Sequence, residues 1–169
     1  MIRPSSFVLP SLILLLLPFP ATAATFSTQS EALERAFPGA QVERIGHVLT
    51  ETQMAEAAGL AGAKLPSALV AAYEARRDGQ LVGTAYFDAH RVHSQQETLM
   101  IVVGPDGRVA DVQVLAFAEP PKYLAPPAWM KQFPGRALDD RLRLKQDIQG
   151  ITGATLTAQE VRDYLGSRL

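Results

Sequence analysis

The stretch TLMIVVGPDGRVADVQVLAF, residues 98–117, reads as two β-strands joined by a tight turn. Residues 98–103 and 109–117 are short runs rich in β-branched side chains. Pro105, Asp106 and Gly107 between them combine a fixed φ with freedom at positive φ, which is what a hairpin turn needs. Val109, Val112 and Val114 do not alternate strictly, so the pattern leaves the local register open. Upstream the same texture recurs. Residues 68–75 and 81–92 are strand-like, and Asp78-Gly79 separates them as a second turn. The runs succeed one another in hairpin style, which predicts an antiparallel meander.

Helical signals flank it. Residues 28–37 open with Thr28 and Glu31 at capping-box spacing, place Leu33, Ala36 and Phe37 on one face, and end at Pro38-Gly39. Residues 51–60 repeat the device with Thr50 and Gln53, and Gly59 and Gly62 loosen the end. The fold expected is therefore α+β, an antiparallel meander flanked by helices. Residues 42–48, which hold His47, form an isolated segment with no evident partner.

Residues 119–135, EPPKYLAPPAWMKQFPG, break the pattern. Five prolines in this loop prevent a strand or a long helix, yet it also carries Tyr123, Trp129 and Phe133. Such a stiffened loop costs little entropy to order. Its aromatic rings either cover a planar ligand or pin the loop onto the sheet.

At the carboxyl end, Thr157 and Glu160 again have capping-box spacing, and Val161, Tyr164 and Leu165 follow at helical intervals. This predicts a C-terminal helix starting at Thr157. The segment before it, GITGAT at residues 150–155, is a small-residue loop feeding a helix N-terminus, where free N–H groups and the positive end of the helix dipole suit a phosphate. Gly153 and Ala154 leave room for close approach, and Thr152, Thr155 and Thr157 offer hydroxyls. On physical grounds alone, a simple turn before a capped helix is the better account of this segment, since so short a match arises easily by chance.

The first 23 residues carry one charge, Arg3, then an apolar run over 7–19 and Ala21-Thr22-Ala23. That is the layout of a secretory signal peptide cleaved after Ala23. The uninterrupted apolar stretch, residues 12–17, lies among Pro10, Pro18 and Pro20 and falls short of the roughly 20 residues a membrane span needs. The mature part, 24–169, suits one domain. Of the 16 Lys and Arg only Arg3 leaves with the leader, and none of the 17 Asp and Glu does, so the mature charge is near −2. Nucleic-acid binding, which needs a basic face, is not expected. With no cysteine, the chain has no disulfide, no thiolate-bound iron–sulfur cluster and no C-x-x-C-H haem attachment.

Other polar residues suggest less. His90 and His93 sit three apart in AHRVH, a spacing that points to opposite faces of a strand, so they read as solvated or edge histidines and not as metal ligands. Arg76-Arg77, Arg141, Arg143 and Lys145 read as solvated surface. Asp139-Asp140 shows no acid/base pairing.

TGATLTA, residues 152–158, resembles the flavinylation motif of the FMN-binding domain family, whose members include the covalent-FMN components of the sodium-pumping NADH:quinone oxidoreductase and of the Rnf electron-transport complex. The similarity in order extends over roughly the last hundred residues: meander, Pro-rich loop with Trp129 and Gln132-Phe133-Pro134-Gly135, flavinylation loop, final helix. The resemblance implies a covalent FMN, held by phosphoester on Thr155, with Thr152, Gly153, Ala154 and Thr157 around it. It also implies attachment by a periplasmic flavin transferase that uses FAD and Mg²⁺, and electron exchange with a membrane-bound redox partner. Two departures stand out. Gln149 occupies the place where the family usually has Asp, with Asp147 two residues earlier, and Glu119-Pro120-Pro121 stands where the family tends to have Glu-Thr-Pro. A periplasmic ligand-binding module of the same fold without covalent flavin, or a flavin enzyme acting on a small exported substrate, are the other readings.

Overall fold

The computed structural model describes residues 24–61 and 67–137. The elements are β1 (Ala24–Thr25), α1 (Gln29–Ala36), β2 (Gln41–Val48), α2 (Glu51–Ala61), β3 (Leu69–Arg77), β4 (Gln80–Val92), β5 (Gln95–Val103), β6 (Val109–Phe117), a 3₁₀ turn (Pro121–Tyr123) and the short helix α3 (Pro127–Met130). The six strands form one antiparallel sheet in the order β1-β6-β5-β4-β3-β2. The expected α+β class and meander are present. The predicted helix from Thr157 and the loop before it lie outside the described residues.

The turns follow from backbone chemistry. Asp78 (φ 52°) and Gly79 (φ 78°) both adopt left-handed conformations, the signature of the two-residue turn whose twist matches its strands. Between β4 and β5 the left-handed position is taken by His93 (φ 52°), so no glycine marks this turn in the sequence. A remote side chain holds it instead. Glu119 accepts from the Ser94 N–H at 2.6 Å, the Gln95 N–H at 2.8 Å and the Ser94 hydroxyl at 3.0 Å. With the turn so braced, β5 starts at Gln95, ahead of the apolar run that begins at Thr98. The register left open by the valines is explained by two irregularities in the β5–β6 pairing, at Thr98/Leu99 and Val102/Val103. A bulge shifts the side-chain phase by one, which lets Val109 and Val112 join the same core cluster although they are three apart.

The segment 42–48 belongs to β2, an edge strand paired with β3 along its whole length. Nearly all its residues are exposed, so neither face is covered and no apolar alternation is required of it. Thr28 caps α1 with the expected capping box: its Oγ accepts from the Glu31 N–H, and its own N–H donates to the Glu31 carboxylate. Thr50 and Gln53 form the same reciprocal pair before α2.

The two faces of the sheet carry separate cores. On one, Ala32 of α1 and Phe37 at its end pack with Ala75, Ala85, Met100, Val102 and Leu115. On the other, Trp129, Met130, Phe133 and Ala125 of the Pro-rich loop pack against Leu99, Ile101 and the β6 valines. Trp129 and Phe133 are buried with their rings edge to face, 5.2 Å apart. These two aromatics pin the loop onto the sheet, the second of the two roles open to them. The strand β5 between the faces is buried on both sides from Leu99 to Val103.

Candidate functional site

Thr152, Gly153, Ala154, Thr155 and Thr157, together with Asp147, Gln149, Asp139-Asp140 and the basic residues from Arg141 onward, lie outside the described residues. The described part shows what the loop-covered face offers. Alternation along β4 puts Tyr86, Asp88 and His90 on the same face as Leu99 and Ile101, because Asp88 pairs with Leu99 and His90 with Glu97.

His90 is neither solvated nor isolated, which corrects the sequence expectation. Its side chain is 9% exposed, with Nδ1 2.8 Å from Asp88 Oδ2 and Nε2 3.0 Å from Glu97 Oε2. Burial disfavours the cation, yet the hydrogen bonds to Asp88 and Glu97, and then their charges, outweigh it and raise the pKa from 6.5 to about 9. The ring is thus an imidazolium that donates to a carboxylate at each end. The signal was present in the sequence as a same-face Asp-x-His pair with a Glu across the next turn. Without a glycine at His93 the hairpin that unites them was not visible. Because the two ring nitrogens face different carboxylates, the three groups do not converge on one point, and no cluster among the described residues could hold a metal ion. His93 is exposed in the turn, its ring 4.9 Å from that of Tyr123.

Glu119, to which sequence reasoning assigned no role, ties the start of the Pro-rich loop to the β4–β5 turn. The hydrogen bonds from the Ser94 and Gln95 backbone hold its carboxyl below the usual carboxylate range despite the cost of burial. The other end of the loop is fastened by backbone pairing. Val109 donates to the Arg136 carbonyl and accepts from the Gly135 N–H, at 3.0 and 2.7 Å.

Between these anchors lies a cleft of about 440 Å³. Its floor is Val112 and Val114 of β6, its roof Leu124, Pro127 and Met130 of the loop, and Phe26 stands at its edge. Among the described residues, Asp111, Gln113 and Lys131 are the charged or amide side chains that line it. The cleft exists because β1 pairs only with Ala116 and Phe117, while the next backbone bridge on that edge is at Arg108. Among the described residues no strand pairs with Asp111 to Val114 on the side away from β5. The Asp111 carboxylate accepts from the Val112 N–H at 2.9 Å and from the Gln113 amide at 2.6 Å, which fixes both side chains. A mostly apolar concavity with a few oriented polar groups, within the roughly 300–1,000 Å³ usual for small-molecule sites, suits a planar heteroaromatic ligand such as a flavin ring.

No helix among the described residues is long and apolar enough to cross a membrane. No curated protein matches the chain. Residues 93–167 match the family model described as the FMN-binding domain. The match begins in the β4–β5 turn and runs through β5, β6, the Pro-rich loop and the TGAT segment, so that over these residues the chain is similar to the FMN-binding domain family.

Proposed function

We propose that this chain is an exported flavoprotein that carries FMN covalently on Thr155 and relays electrons between membrane-bound or periplasmic partners. The observation that carries the reading is the family match, which runs through Thr152-Gly153-Ala154-Thr155. In this reading residues 1–23 are the leader and 24–169 the functional domain. A threonine hydroxyl is a weak nucleophile, so attachment is assigned to a periplasmic flavin transferase. The Thr155 Oγ forms a bond to the FMN phosphorus of FAD, the pyrophosphate bond breaks, AMP leaves, and the hydroxyl proton passes to a base. Flavin, when bound, supplies the one- and two-electron chemistry. The chain's part is to hold it and to exclude water, and the loop over residues 119–136 supports that role. It is fastened at one end by Glu119 and at the other by Gly135 and Arg136.

The test is intact mass. Coexpressed in a periplasm with the transferase, the mature chain gains one FMN less one water and becomes fluorescent in a denaturing gel. Thr155→Ala gains nothing. An unchanged wild-type mass with an active transferase would favour a ligand-binding module without covalent flavin, the outcome that Gln149 in place of the family's Asp makes worth measuring.

A further inference from the structure

We propose that the cleft beside Asp111 to Val114 of β6 receives the isoalloxazine ring, with Asp111 and Gln113 meeting its pyrimidinedione edge, Phe26 covering its apolar end and Lys131 at the mouth. The inference rests on the FMN reading and adds where the ring lies and which side chains recognise it.

The ring is planar, apolar at its dimethylbenzene end, and polar at the other, where one N–H donor sits between two carbonyl acceptors. The cleft has the same division. Val112, Val114, Leu124 and Met130 make the greater part of its wall apolar. At one side the Asp111 carboxylate takes two bonds, from the Val112 N–H and the Gln113 amide nitrogen, and a carboxylate has capacity for more. Donation by the Gln113 nitrogen leaves its amide oxygen as a second acceptor. Two acceptors held in place suit the single ring N–H, and the Lys131 ammonium suits a ring carbonyl and the negative charge that builds up on reduction.

Phe26 supplies the second, independent observation. It is 53% exposed although it follows β1 directly and its N–H is fixed to the Leu115 carbonyl at 2.8 Å. An aromatic ring held by its backbone at the lip of an apolar cleft, with half its surface uncovered, is placed to stack on a flat ligand. The other large exposed apolar side chains among the described residues, Val42, Val48 and Leu69, lie on β2 and β3 at the opposite edge of the sheet. They are not among the residues that line the cleft.

Riboflavin, which has the ring and no phosphate, is the probe, and the unmodified chain produced without transferase is the receptor. Saturable quenching of riboflavin fluorescence is expected, and Phe26→Ala and Gln113→Leu are each expected to weaken it about fivefold, the effect of losing one aromatic contact or one buried hydrogen bond. Leu69→Ala, an exposed apolar residue on the far edge, leaves it unchanged. Circular dichroism checks that all three variants fold. Absence of saturable binding, indifference to both cleft variants, or equal weakening by Leu69→Ala would overturn the assignment. The two proposals fail separately. A chain that binds riboflavin in the cleft yet gains no mass keeps the ring site and loses the covalent carrier. One that gains the mass while riboflavin ignores the cleft variants keeps the carrier and loses the ring site.

Discussion

On one face of the sheet, Ala32 and Phe37 close over Ala75, Ala85, Met100 and Val102, and the core cluster there is wholly apolar. On the other, Trp129 and Phe133 pin a proline-rich loop beside the Asp88–His90–Glu97 chain, and the loop covers Val112 and Val114 in a cleft that reaches round the β6 edge to Asp111 and Gln113. Both faces bury apolar side chains from the same strands, since residues of β4 and β5 alternate between them. The difference is in what the covering element can do. A helix satisfies its own backbone and needs only an apolar stripe. An irregular loop must have its polar groups satisfied by the sheet, and this one is tied by Glu119 at one end and by Val109 at the other. Polar groups and an open cleft therefore collect where the loop lies, and sequence matching the FMN-binding domain family supplies that loop, β5 and β6, while α1 comes from outside the match.

The largest test breaks the charged chain. His90→Ala removes the cation between Asp88 and a fully buried Glu97 and is expected to cost about 3–5 kcal/mol in urea unfolding. The same group makes stability depend on pH in a definite direction. Its pKa is raised in the folded chain to about 9 from 6.5. The stabilisation is thus present in full below pH 6.5 and is lost as pH rises through 9, a change of about 3 kcal/mol by linkage. Unfolding curves at successive pH values should show that decline in the wild type and a flat profile over the window in His90→Ala. A wild-type profile that does not fall would mean that the ring is not held as a cation.

A smaller effect is expected on the helix face, and it is steric. A Cβ at Gly83 would lie 2.7 Å from Phe37 Cε1 and 3.0 Å from the Val103 carbonyl oxygen. Gly83→Ala should cost about 1–3 kcal/mol by overpacking. Adding Phe37→Leu should recover part of that loss, because the ring is the nearer obstacle. Strictly additive single and double variants would show that the ring and the strand do not touch as described. Neither change should alter the pH profile, since His90, Asp88 and Glu97 lie on the other face.

Much of the frame was legible because it rests on local chemistry. The Asp78-Gly79 turn, the Pro105-Asp106-Gly107 turn and the two capping boxes each use residues whose backbone preferences act within four positions. What escaped was held from a distance. The turn at His93-Ser94 depends on Glu119, 25 positions away for Ser94, so nothing near the turn announces it. With that turn unseen, His90 could not be placed opposite Glu97, and a buried imidazolium read as a solvated histidine. β2 was missed for a different reason. Exposed on both faces, it has no apolar period to read. The cleft was likewise invisible, because it is made by the mismatch between a two-residue β1 and a nine-residue β6, a relation between distant segments.

The two capping boxes sharpen the comparison at the smallest scale. Thr28→Ala removes the Oγ that accepts from the Glu31 N–H at 3.3 Å but leaves the Thr28 N–H bonded to the Glu31 carboxylate at 2.9 Å. Half the box survives, and a loss of about 1 kcal/mol in global unfolding is expected, typical for an N-cap threonine. Thr50→Ala removes the same acceptor from Gln53 before α2. Yet no described side chain of α2 belongs to either core cluster, whereas Ala32 and Leu33 of α1 are part of one or packed against it. A cap stabilises the whole fold only if its helix is coupled to the core. Thr50→Ala should therefore stay within about 0.5 kcal/mol in global unfolding, as surface changes do, and appear instead as faster amide exchange confined to residues 51–61. Equal losses for the two threonines would mean that α2 is coupled to the sheet as firmly as α1, and that the helix-covered face extends further than its apolar cluster indicates.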